Sequence, residues 1–524
     1  MKQKRKFKKK DWFRVKGYNH IGLSLTNKER NWVSCYVSDK QKVASHAFLP
    51  FIHRSSKVRK FRREQCHDGT RSQLRVPDKK IRELYYCSHL DALVYGYYSA
   101  LISKEYETKL RCLRLEDCIT AYRHIPVESG NPRSRNKCNV DFANDVFNYI
   151  KNSPSNHLVA ITFDIRSFFD ELDHKILKQA WKHVINSGPN LPPDHYNVFQ
   201  NITKFSYIEE REIFKEFQNE IIVERNPSIR KPKRIARRQF LRNQRAVSFC
   251  YNSKFNLERL RSGGYVKSNK RVKCEQGKFH MREKGIPQGS PISSLLANIY
   301  MLEFDTDANI FLRNRKGIYR RYSDDMVVIC PPEYADEVCE FFGNKIEEYK
   351  LTIQEKKTQL FHFYRNCGSR LYCKEENLNT GKFNSNSNFQ YLGFQFDGFH
   401  TYLKSSSIAS YYRKMKRSIR RRKYYAIFNK TIHRGKLFKG SLFKRFTHIG
   451  AHRRRIYKRH PKIKSKFIIT EKFDWGNYLS YAYMAAKVIP DNKIRKQLRR
   501  HWTKFHALLN DAEVKIAKAL FNIK

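Results

Sequence analysis

The stretch GIYRRYSDDMVVIC (317–330) decides how the rest of the chain is read. Two short runs rich in β-branched and aromatic residues flank a polar turn at Ser323-Asp324-Asp325, the pattern of a hairpin. Upstream, LVAITFDI (158–165) is a short apolar run that reads as a buried strand ending at Asp164. Neighbouring strands lie about 4.8 Å apart, so the carboxylates of Asp164 and Asp324 can converge although 160 positions separate them. Two metal ions held by a few carboxylates are what phosphoryl transfer requires, and magnesium needs only one or two carboxylates besides the phosphates of its substrate. The chain has 49 acids against 106 lysines and arginines, so acids set between apolar strands are not solubilising groups. The competing reading makes Asp164 a turn cap and Ser323-Asp324-Asp325 mere turn chemistry. For either motif alone the two readings stand even.

The chain has 524 residues, 40% of them apolar and 14% aromatic, which makes it globular and large enough for several packed lobes. Its net charge is +57, roughly one excess positive charge per nine residues. Self-repulsion on that scale opposes compaction, and a nucleic acid offsets it. No run approaches the ~18 apolar residues of a membrane span. MKQKRKFKKK (1–10) is followed by a mixed polar segment, so no secretion signal is read and an intracellular setting is expected. The twelve cysteines include no CxxC pair and have no zinc-finger spacing.

Helical spacing of apolar residues marks 90–110, and a second helix at 142–152 puts Phe142, Val146, Phe147 and Ile150 on one face. A long insert fills 190–280; its segment RNPSIRKPKRIARRQFLRNQR (225–245) is expected to be exposed and to touch phosphate. Gly285-Ile286-Pro287-Gln288-Gly289 reads as a loop in which glycines admit close backbone approach, with a helix from near Pro291. From about 405 the chain is read as helical and strongly basic, at 411–428, 451–460, 475–489 and 492–502.

Taken in order, these motifs resemble the prokaryotic reverse transcriptases. ITFDIRSFFDELDH (161–174), GIPQGSPISSLLANIYMLEFD (285–305), RYSDDMVV (321–328), LTIQEKKT (351–358) and FQYLGF (389–394) are similar to five successive motifs of that family. ITAYRHIP (119–126) and NKCNVDFANDVFNYI (136–150) resemble the abortive-infection and defence-associated subset, and the core is also similar to group II intron and retron enzymes. The resemblance implies an α+β right-hand polymerase with fingers, an antiparallel-sheet palm and an α-helical thumb. It implies two Mg2+ ions, with Mn2+ as a substitute, on Asp164, the Ile165 carbonyl, Asp324 and Asp325. Phe169 falls at the steric gate that selects deoxynucleotides. Gln288 meets the incoming nucleotide, Arg123 and Lys137 meet its triphosphate, with a surface salt bridge as the equal alternative for both, and Lys357 lies near that triphosphate, with Lys356 as the alternative register. Tyr391, Leu392 and Gly393 form the primer grip.

The expected organisation is a basic extension with the start of the fingers (1–110), fingers (111–157), palm with its insert (158–400) and a basic helical thumb (401–524). The implied partners are an RNA template, taken as a dedicated structured non-coding RNA, a DNA product, deoxynucleoside triphosphates and no membrane; a homo-oligomer is left open. Alternatives are an intron-type reverse transcriptase and maturase, an RNA-binding protein with a vestigial site, and an RNA polymerase, which the bulky Phe169 disfavours.

Overall fold

In the computed structural model residues 11–65, 71–131, 134–226, 229–273, 279–366 and 370–521 are described, apart from positions 379, 430, 453, 461, 462, 464, 466 and 475. The basic run at 1–10 lies outside them. The class is α+β with antiparallel sheets, as expected. Two compact units form, one from residues up to Arg123 with Ile161–Gln359, the other from His124–Ala160 with the chain from Leu360 on.

In the first unit the strands Ile318–Tyr322 and Asp325–Cys330 pair antiparallel, and the second of them lies beside His157–Asp164. Phe163 stacks on Phe342 of helix Ala335–Glu348 at 4.9 Å, and Phe304 of helix Leu302–Arg313 meets the same ring at 5.7 Å. Helices on one face and a nearly continuous apolar strand fix the level at which Asp164 emerges. Strands Phe51–Gln65 and Arg71–Tyr86 form a long antiparallel hairpin. The insert is folded, and its Ile208, Phe217, Ile221, Val223 and Phe249 pack in one core with Ile21 and Ile52 from the start of the chain. The segment 225–245 is therefore only partly outside: Ile229–Lys233 is an exposed edge strand, but Ile235 and Leu241 enter that core. Its Pro232 sits on the edge strand, where a missing N–H does least harm.

In the second unit helix Asn139–Asn152 buries Phe142, Val146, Phe147 and Ile150, the face read from the sequence. The expected helices appear at Ser405–Phe428, Tyr478–Val488 and Asn492–Leu498. The segment 451–460 departs from its helical reading: Arg454–Arg459 is a strand paired with Phe467–Asp474. The partner's run Phe467-Ile468-Ile469-Thr470 is aromatic and β-branched, and pairing with it outweighs the weak helix preference of the basic residues. Among the described residues no helix is long and apolar enough to cross a membrane, and all nine described cysteines are free.

Candidate active site

All the expected residues from Arg123 to Lys357 except Lys137 lie in the first unit. Asp164 ends its strand, and the next residue joins it to the hairpin: the Ile165 N–H donates to the Asp324 carbonyl at 3.1 Å. On the other side the Gln354 N–H donates to the Asp164 carbonyl at 2.8 Å and Arg166 N–H to the Thr352 carbonyl at 2.9 Å. The backbone of Asp164 is thus held between the Ser323-Asp324 turn and the 352–354 segment. Lys357, at the end of the short turn Glu355–Lys357, places its Nζ 2.6 Å from Asp164 Oδ1. Of the two neighbouring lysines, Lys357 is the one paired with the strand-end carboxylate. Asp325 is the first strand residue after the turn, paired with Tyr322, so the tip itself is Ser323-Asp324.

The turn is braced from beneath by residues that the motif reading passed over. Arg321 is fully buried and donates two bonds to Asp305, at 2.7 Å to Oδ1 and 2.5 Å to Oδ2. It also donates to Asn298 Oδ1 at 3.2 Å and to the Ser323 carbonyl at 3.3 Å. Tyr319 Oη donates to Asp305 Oδ1 at 2.8 Å. Burial alone would lower the Arg321 guanidinium, but the charge and bonds of Asp305 outweigh it and hold it well above its ordinary value. Cys118-Ile119-Thr120 runs beside this strand: Arg321 N–H donates to the Cys118 carbonyl at 2.7 Å, Thr120 N–H to the Arg321 carbonyl at 3.0 Å. Tyr122 Oη meets Ser323 Oγ at 3.2 Å.

The signal for this brace was in the alternation. Tyr319 and Arg321 alternate onto the inward, buried face of the strand Ile318–Tyr322, and Ser323 follows in the turn. A cation at an inward position demands a buried acid, and Asp305 closes the quoted 285–305 motif.

Phe168 and Phe169 divide their roles. Phe168 is buried, while Phe169 stays half-exposed beside it, ring centroids 5.7 Å apart. The 285–289 loop is built against the same segment: Ile286 N–H donates to the Phe169 carbonyl at 2.9 Å and Gly285 N–H to the Leu172 carbonyl at 2.8 Å. Tyr85 N–H holds the Gln288 carbonyl at 2.9 Å. At Gly289, φ is +123° and a Cβ would lie 2.6 Å from the Tyr85 carbonyl oxygen, so no other residue fits without displacing backbone.

Arg123 is committed elsewhere. Its guanidinium donates to both Glu107 oxygens, at 2.9 and 2.7 Å, and to the carbonyls of Glu116 and Ile119, at 2.5 and 2.6 Å. Reaching a triphosphate would require breaking these bonds. Lys137, in the second unit, bonds Asp145 at 2.9 Å. Tyr391, Leu392 and Gly393 also lie in the second unit, at a hairpin between Phe389–Tyr391 and Phe394–Phe396.

Among the described residues no group of three or more His, Cys, Asp or Glu is placed to hold a metal ion. The donors at hand are carboxylates without a histidine or thiol, and Asp164 already takes a cation, Lys357, on one oxygen. That set suits a hard ion needing one or two carboxylates and completed by substrate phosphates.

Residues 237–396 match the family described as reverse transcriptase (RNA-dependent DNA polymerase). The match spans 160 of the 524 residues and includes Gln288, Asp324, Asp325 and Lys357. Asp164 lies upstream of it. No curated protein matches the chain. Similar solved structures include apo telomerase from Candida tropicalis truncated from its C-terminal domain (14% identity, 72% of this chain and 60% of that one, TM-score 0.32). Apo telomerase from the same organism gives 11% identity over 97% and 70%, TM-score 0.34. Telomerase from Candida albicans in complex with a TWJ fragment of telomeric RNA gives 16% identity over 92% and 60%, TM-score 0.34. The chain thus spans about three fifths of the length of the first of these.

Proposed function

We propose that the protein is an RNA-directed DNA polymerase that extends a primer with deoxynucleotides, using Asp164 and Asp324 as the carboxylates of a two-magnesium site. The observation that carries this is the Ile165-to-Asp324 backbone bond, which joins the strand end that bears Asp164, with Lys357 on its carboxylate, to the turn that bears Asp324. Asp164, Asp324, Asp325 and the Ile165 carbonyl would hold the ions, which neutralise charge on the triphosphate and on the attacking primer oxygen. The chain's own residues supply position. Lys357 meets the phosphate chain as a cation, Gln288 contacts the nucleotide from a loop anchored on Tyr85, and the half-exposed Phe169 ring crowds a ribose 2′-hydroxyl. Arg123, by its bonds, belongs to the support of the fingers. The 124–157 segment completes the fingers, the 158–400 region is the palm and the basic region from 401 is the thumb, gripping duplex through phosphates.

The resemblance of 119–126 and 136–150 to defence-associated enzymes supports a cytoplasmic bacterial antiphage role, with a dedicated structured RNA as template. The test supplies purified protein with magnesium, labelled deoxynucleotides or ribonucleotides and its co-purified RNA. Asp324→Asn should abolish incorporation while RNA affinity stays nearly unchanged; a large loss of RNA binding would count against the assignment. Phe169→Ala should admit ribonucleotides, and unchanged discrimination would remove the gate. Intron sequence in the bound RNA would favour the maturase alternative.

A further inference from the structure

The helix Ser405–Phe428 carries basic residues that the polymerase chemistry does not use. Lys414, Arg417, Arg421 and Tyr425 recur at three- and four-residue steps, which puts them on one face. The chain then folds back, and Lys436, Phe438 and Arg445 close the other side of a cavity of about 610 Å3. With Arg422, six lysines and arginines line it and no carboxylate does. Among the described residues none of the six is paired with an acid. Arg422 is fixed by bonds to the Phe438 carbonyl and the Ser441 hydroxyl. Burial, and then the neighbouring Arg445, push its guanidinium below its ordinary value. Six like charges around one cavity repel one another until a polyanion enters.

Two rings make this more than a phosphate trap. Tyr425 and Phe438 line the cavity yet are 54% and 56% exposed. Arg421 lies over the Tyr425 ring at 5.6 Å, and His433 meets Phe438 edge-on at 5.4 Å. An open ring beside guanidinium groups is the equipment that holds an unpaired base, the base stacking on the ring while cations take the flanking phosphates.

We propose that this cavity binds an unpaired nucleotide of a single-stranded nucleic acid, its phosphates on Arg417, Arg421, Lys436 and Arg445 and its base against Tyr425 or Phe438. The site uses none of the aspartates and goes beyond the polymerase reading, so Asp324→Asn protein should bind the strand as wild type does. RNA and DNA strands offer the same chemistry here. A single-stranded oligonucleotide with one photoreactive 4-thiouridine, or 4-thiothymidine in the DNA arm, is crosslinked to the full chain at about 0.3 M salt, where weaker phosphate contacts fall away. Crosslinks at Tyr425 or Phe438 are expected in at least one arm, and the arms report which sugar is preferred. Tyr425→Ala should lose affinity by about tenfold, Tyr425→Phe should keep it, and Arg421→Glu with Lys436→Glu should lose both affinity and crosslink. Crosslinks confined to other segments overturn the proposal. So does wild-type affinity in Tyr425→Ala, or equal affinity for a strand that is abasic at the probe position.

Discussion

Two hairpin turns of equal length are built in opposite ways. Ser323-Asp324 closes the pair Tyr322 and Asp325; Leu392-Gly393 closes Tyr391 and Phe394. At the first, only the leading residue is left-handed, Ser323 at φ +64°. At the second, both are, Leu392 at +45° and Gly393 at +92°, the form that fits the twist of a two-residue hairpin. The first turn rests on the Arg321–Asp305 pair, with both side chains wholly out of solvent. At the second, a Cβ on Gly393 would meet nothing nearer than the Tyr481 hydroxyl at 4.0 Å. A turn that must hold a carboxylate in one place is stiffened by buried polar bonds. The second turn is held by its left-handed backbone and by the Lys404 N–H, which donates to the Gly393 carbonyl at 3.0 Å.

The largest effect should come from breaking the brace. Arg321→Met leaves the Asp305 carboxylate buried without its cation and should cost about 3–5 kcal/mol in denaturant unfolding. Arg321→Met with Asp305→Leu should recover most of that stability, because an apolar pair can replace a buried ion pair. It should not recover synthesis, since the Ser323 carbonyl still lacks its donor. A loss below about 1 kcal/mol in the single variant, the level of a surface pair, would remove the contrast between the turns.

Next comes Gly393→Val. A β-branched residue at φ +92° is strained however much room surrounds it, and roughly 1–3 kcal/mol should be lost from the transition reporting on the second unit. Wild-type melting would mean that the turn adapts, and that its conformation is not the feature selected. Leu392→Gly runs the other way. Removing the side chain at φ +45° should relieve about 1 kcal/mol of left-handed strain and raise the melting temperature slightly. If extension falls while stability rises, Leu392 is kept for contact with the primer; if both rise together, its side chain has no such role.

Much of this was legible in the sequence, and the misses have physical causes. Strand-end Asp164, the hairpin at 318–330 and the loop at 285–289 announce themselves by local pattern: an apolar run ending at an acid, alternation around a polar turn, paired glycines. Arg321 and Asp305 were hidden because their meaning is a long-range pairing, and the motif strings that contain them draw the eye to Asp324 and Gln288. Arg123 was assigned to phosphate by motif position, yet its bonds to Glu107 depend on where the helix His89–Cys112 passes, which no local pattern states. The strand at 454–459 was missed for the same reason, its partner lying at 467–474.

The smallest test isolates one bond of the brace. Tyr122 Oη and Ser323 Oγ lie 3.2 Å apart, and Ser323 is 4% exposed. A neutral bond of this length contributes about 0.5–1.5 kcal/mol, so Tyr122→Phe should lower stability by no more than about that. The ring itself is 52% exposed, so its packing contributes little and phenylalanine keeps its shape. The Ser323 hydroxyl, once released, can turn within its own tight turn, while the ion pair beneath continues to hold the backbone. If position is set by Arg321, kcat should fall only a few-fold and nucleotide KM should stay constant. A fall in kcat as large as that in Arg321→Met, with unfolding unchanged, would move the seat of control from the buried pair to the Tyr122 side of the turn. The comparison would then rest on a side-chain bond at the rim of the first turn rather than on the buried pair beneath it.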